Sequence, residues 1–160
     1  GLKKKGITFL LGDDVSQMTN KLGSHFASGF EALGLPTREV FASSISSFED
    51  LETQTQAYDT ALFISLSGLG MDMRSKNNVF HKLDIPLFLM LLDPPLHYWD
   101  KVEAPVGLNA ISTLSEADKK FIDKYGTQDR TVFQLAHAAT PKTPKHWSKK
   151  DTPASWERTD

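Results

Sequence analysis

The sequence predicts an α/β protein: a doubly wound, mostly parallel sheet with helices on both faces, three layers in all. Three observations carry this. Short apolar runs alternate with segments whose apolar residues recur at helical spacing. The runs are continuously apolar rather than alternating, as strands read when both their faces are covered. Several runs end abruptly in glycine, proline or acidic residues. Strand–helix alternation of this kind argues for parallel pairing through right-handed crossovers.

Ile7 to Leu11 is the first strand, closed by Gly12-Asp13-Asp14. Asp14 is placed to cap a helix over residues 15–33, whose Met18, Leu22, Phe26, Phe30 and Leu33 form one stripe. Gly34 and Pro36 stop it. Arg38 to Phe41 is a short strand. A helix follows from about Ser47, with Ile45, Phe48 and Leu51 on one side. Residues 61–66 form a strand ending in Ser67-Gly68-Leu69-Gly70, and residues 76–83 a short helix. Pro86 to Leu92 is a strand, as is Gly107 to Ser112. Ser115, backed by Glu116 and Asp118, starts a helix that runs to Tyr125 and stops at Gly126. Thr131 to Leu135 is the last strand. Residues 1–139 thus form one Rossmann-like or flavodoxin-like domain. Residues 140–160 change character, with three prolines, many charges and no apolar period. They read as a polar linker or tail leading to a second domain in a longer parent protein.

Composition narrows the functional classes. A hydrophobic content of 39% with 24% charged residues supports a folded core rather than a disordered chain. The formal net charge of -2 leaves no basic excess for nucleic acid or an anionic membrane. No run is long enough to span a bilayer, and no secretory leader is recognisable. Cysteine is absent, which removes disulfides and thiolate chemistry and fits a reducing, cytoplasmic setting.

In an open parallel sheet, ligands sit beyond the carboxyl ends of the strands. Parallel topology would therefore gather Asp13 and Asp14, Gly68, Asp93 with His97 and Tyr98, and His137 along one edge. Each has a plainer reading. Asp13-Asp14 is a general acid or a metal pair, or a loop with a helix cap. Ser67-Gly68-Leu69-Gly70 brings backbone N–H groups to a phosphate, or simply turns the chain. Asp93 is an acid or hydroxyl acceptor, or a loop carboxylate on water or a cap. His97 is of the residue type suited to proton transfer, or is surface polarity. Tyr98 and Trp99 offer a platform for a sugar or base, or pack against the sheet edge. His137 is a ligand contact or a hydrogen-bonded structural histidine. None of the five histidines forms an i, i+4 pair with a carboxylate, so no zinc site is expected.

Several nucleotide folds fail at the first strand. The dinucleotide fingerprint needs three spaced glycines, and Gly12-Asp13-Asp14-Val15-Ser16-Gln17 has one. A flavodoxin-type phosphate loop and a Walker loop are also missing. Leu10-Leu11-Gly12-Asp13-Asp14 resembles the acidic pair of response-regulator receivers. The phosphoacceptor aspartate should then end the third strand, where Ser65-Leu66-Ser67-Gly68 stands instead.

Residues 85–140 carry three features that point together. An apolar strand enters an acidic-proline-histidine turn, Leu92-Asp93-Pro94-Pro95-Leu96-His97. A strand leads into a short helix between Leu108 and Tyr125. A closing strand ends in Leu135-Ala136-His137-Ala138-Ala139-Thr140. This segment resembles the amino-terminal half of certain bacterial GT-B glycosyltransferases, the group that includes spore-maturation-protein-like enzymes. Thr140 stands where that group usually has an acid, and Ala136 where proline is common.

The resemblance implies two Rossmann-like domains facing a cleft. The first shapes the acceptor side, and the second holds the nucleotide sugar. This chain would be the acceptor-side domain, inactive alone and without a cofactor of its own. Its partners would be an acceptor, protein or glycan, and a nucleotide sugar presented by the second domain. Asp93 and His97 would supply acid–base chemistry. Asp13, Asp14, Gly68, Tyr98 and His137 would contact ligand. The rival expectation is a non-catalytic α/β module, flavodoxin-like or receiver-like, that binds a ligand or a protein with the same strand ends.

Overall fold

A computed structural model describes residues 5–12, 17–68, 71, 83–104, 109–127 and 129–135. The strands are β1 (Gly6–Leu11), β2 (Thr37–Phe41), β3 (Thr60–Leu66), β4 (Leu87–Met90), β5 (Asn109–Thr113) and β6 (Thr131–Gln134). The helices are α1 (Gln17–Ala32), α2 (Phe48–Ala57), α3 (Trp99–Val102) and α4 (Glu116–Tyr125). The strands form one sheet in the order β2-β1-β3-β4-β5-β6, and every pairing is parallel. This is the doubly wound α/β fold predicted from the strand–helix alternation.

Connection direction decides which face each helix covers. The chain steps one way from β1 to β2, then reverses and steps the other way for every later strand. Crossovers of a single hand must then put α1 on one face and the later helices on the other. The core is divided accordingly. Ile7, Phe9 and Leu11 of β1 meet Ala27 of α1, with Ile64, Leu66 and Met90 beside them. On the opposite face, Leu10, Phe63 and Leu87 meet Leu51 of α2. Farther along that face, Leu89, Leu91 and Ile111 meet Val102 and Ile122. Central strands buried on both faces explain the continuous apolar runs; all six residues of β1 are buried.

Local signals set the helix boundaries. Ser47 caps α2 by accepting from Asp50 N, and Ser115 caps α4 by accepting from Asp118 N. Gly34 ends α1 at φ 77°. Its N–H donates to Glu31 O at 2.8 Å, and Leu35 N–H reaches Phe30 O at 3.0 Å, a Schellman closure.

The sequence reading of α1 needs two corrections. Met18 and Leu33 belong to the periodic stripe, yet they are 81% and 78% exposed. The stripe that packs is Leu22, Phe26 and Phe30, with Ala27 between them. Met18 lies in the first turn of the helix and Leu33 just past its last residue. A further difference is the 3-10 turn Pro95–Tyr98 leading into α3, which no periodicity announced. Those segments are too short to show a helical repeat. Asp13, Asp14, most of the helix expected over 76–83, His137 and the polar tail lie outside the described residues.

Candidate functional site

Because all six strands run the same way, the ends of β1, β3, β4 and β6 share one edge. The strand order reverses between β1 and β3, so Gly12 and Ser67-Gly68 flank the position where such sheets open a crevice. β4 lies immediately beyond β3, about 5 Å away.

At β3 the chain leaves the sheet through two successive left-handed residues, Ser67 at φ 51° and Gly68 at φ 80°. The conformation costs a serine of order 1–3 kcal/mol and persists only where surroundings hold it. Here they do. Ser67 N–H donates to Met90 O at 2.8 Å. Its Oγ accepts from Leu92 N–H at 3.3 Å. Ser67 therefore staples the crest of β3 to the end of β4 through both backbone and side chain.

Beyond Leu92 the chain enters Asp93-Pro94-Pro95. The two prolines fix their own φ angles, and the buried Pro95 anchors the turn. Asp93, Leu96 and His97 stand exposed at its tip. The Tyr98 hydroxyl donates to Asp93 Oδ2 at 3.0 Å. Burial, reinforced by the Asp93 carboxylate, pushes the Tyr98 phenol above its ordinary value, and Ser67 opposes the shift. The His97 ring lies tilted against the Tyr98 ring, centroids 6.5 Å apart. Trp99 packs edge-on against Phe121 at 5.4 Å, so its indole serves packing between α3 and α4.

The lysine of α3 completes this rim. The Lys101 stem lies over Gly68, so close that a Cβ on Gly68 would sit 2.7 Å from Lys101 Cγ. The ammonium reaches Asp100 Oδ2 at 3.3 Å, and burial pushes its pKa down. At β1, Asn20 of α1 clamps Gly12 from both sides. Its Oδ1 accepts from Gly12 N–H at 3.2 Å, and its Nδ2 donates to Gly12 O at 2.8 Å.

The structure thus brings Gly68, Asp93, His97 and Tyr98 together across the crests of β3 and β4. Asp13, Asp14 and His137 lie outside the described residues. Two contributors, Lys101 and Asn20, escaped the sequence reading, which for Ser67 foresaw the turn but not the side-chain bond to Leu92. No local pattern marks these contacts, since each joins separate elements of the fold. Among the described residues, no three of His, Asp and Glu converge in a metal-holding group. Among them too, no helix is long and apolar enough to cross a membrane.

The arrangement offers a carboxylate steadied by a phenol, an exposed imidazole and a half-buried ammonium on one rim. It is suited to gripping hydroxyl groups and to accepting or returning a proton. No protein-family model, curated protein or solved structure matches the chain.

Proposed function

We propose that this chain is the acceptor-side domain of a GT-B-type glycosyltransferase, competent only when a second domain presents a nucleotide sugar across the cleft. One observation carries the reading: Asp93 sits on a proline-braced turn, its carboxylate held by Tyr98, with His97 on the same tip. In this reading Asp93 or His97 takes the proton from the acceptor hydroxyl as it attacks the sugar. Gly68 and Tyr98 line the same wall, and Asp13, Asp14 and His137 contact ligand from the neighbouring strand ends. Catalysis needs both domains because the reacting atoms are aligned only between them. A cytoplasmic setting belongs to the same reading.

The test uses the parent protein that contains this domain. Transfer from a panel of nucleotide sugars is followed by release of the nucleotide, with Asp93→Asn and His97→Ala assayed separately and together. The double variant should lose at least about a hundredfold in turnover, the usual scale of a lost acid–base group. Undiminished turnover would remove the catalytic assignment.

A second reading has its own support. Asp93 and His97 are exposed rather than enclosed, as suits a module that holds a ligand without turning it over. Melting the isolated domain with increasing nucleotide sugar separates the two. A binding module shows a midpoint that climbs with concentration. An acceptor-side domain, which does not hold the donor, shows none.

A further inference from the structure

We infer that β6 is a dimerisation edge, where a second copy of this chain adds its own β6 antiparallel across a two-fold axis. The inference goes beyond the transfer role and rests on different residues. Leu135 N–H donates to Thr113 O at 2.9 Å. Backbone groups alternate sides along a strand, so Phe133 and Thr131 also point toward β5. Val132 and Gln134 therefore aim their N–H and C=O groups outward, and among the described residues no strand pairs with them. Such an edge takes an extended polypeptide.

Three features select a second copy. First, residues 131–140 contain no Asp, Glu, Lys or Arg. The opposite edge strand, β2, carries Arg38 and Glu39. Antiparallel self-pairing centred on either residue would set like charges face to face, which is destabilising; β6 has no register with that cost. Second, the Gln134 side chain turns back to donate to Leu114 O at 3.2 Å, which leaves its own backbone uncovered.

Third, one register satisfies every group at once. With Phe133 on the axis, Val132 of each copy pairs with Gln134 of the other through their outward groups. Phe133 then faces its counterpart at a non-hydrogen-bonded position, where opposed Cα atoms approach to about 4.5 Å. Phe133 already stacks on Phe88, centroids 5.4 Å apart. The half-buried pair would become a continuous aromatic row across the axis. Such isologous contacts close on themselves and do not propagate.

Two measurements on this chain test the assignment. Sedimentation equilibrium from micromolar to millimolar concentration should show the mass doubling. Gln134→Pro, which deletes an outward N–H and spares the bonds to β5, should abolish the doubling; Gln134→Ala should keep it. Amide exchange provides an independent check that needs no variant. At dilution, Phe133 and Leu135 should be protected while Val132 and Gln134 exchange fast. As concentration rises, Val132 and Gln134 should slow in proportion to the dimer fraction. A single-chain mass throughout, or fast exchange at these two amides at every concentration, overturns the proposal. Protection independent of concentration also overturns it, because the chain's own residues would then cover the edge.

Discussion

Tyr98 donates its hydroxyl to Asp93 Oδ2 across 3.0 Å, linking a half-buried ring to an exposed carboxylate five residues earlier. The bond closes the Pro94-Pro95 turn on itself and decides which way the acid faces. Tyr98→Phe should therefore cost about 1 kcal/mol near neutral pH, the usual net worth of such a bond. Its alkaline behaviour is more diagnostic. Burial raises the phenol's pKa in the folded chain, so the unfolded chain gives up the proton first. The stabilisation is complete below the ordinary phenol value and is lost as pH rises through the folded one. Urea unfolding across that range should show wild type falling more steeply than Tyr98→Phe. Equal slopes would show that the phenol is not shifted.

Gly68 is required twice over, by φ 80° and by the Lys101 stem. Gly68→Ala should lose about 1–2 kcal/mol from the left-handed conformation alone, with further loss from the contact. Lys101→Ala should relieve the contact and not the backbone cost. A double-mutant cycle in urea reads the two apart. Strict additivity would mean that the lysine stem simply swings away.

Thr8 and Thr60 bond to each other through their hydroxyls at 2.8 Å, both buried between β1 and β3. Thr8→Val strands the Thr60 hydroxyl and should cost roughly 1–3 kcal/mol, and the converse should hold for Thr60→Val. The double substitution removes both polar groups and should return close to wild type. Thermal melts of the three variants check this. A double variant as damaged as the sum of the singles would show that other partners matter more.

Ser47 and Ser115 each satisfy an N–H in the first turn of their helices. Ser47→Ala and Ser115→Ala should each cost about 1 kcal/mol. Asp at position 47 should restore most of it, since a carboxylate accepts the same N–H and suits the positive helix end; Asp at position 115 should not, because Ser115 Oγ donates to Asp118 Oδ2 at 2.6 Å and a carboxylate there would face another. Chemical denaturation of all four variants gives the comparison.

These caps, and the Gly34 stop, were legible in the sequence because their causes lie within a few residues of them. The strands were legible because burial on both faces leaves an apolar run with no period. Burial at the ends of α1 was not, since Met18 and Leu33 fit the stripe and yet stand exposed in the fold. The rim was legible in its turn residues, Gly68, Asp93 and His97. Its supports were hidden: Ser67 reaches Leu92 and Lys101 covers Gly68 across long stretches of chain. Such contacts exist only once neighbouring strands are in register.

Asn20 carries a consequence of another kind. By grasping Gly12 at both its N–H and its carbonyl, it joins α1 to β1 with a side chain. The height of the helix above the sheet is thereby fixed from within the helix. Substitutions at the exposed Asp93 and His97 can then retune what the rim offers without disturbing that alignment.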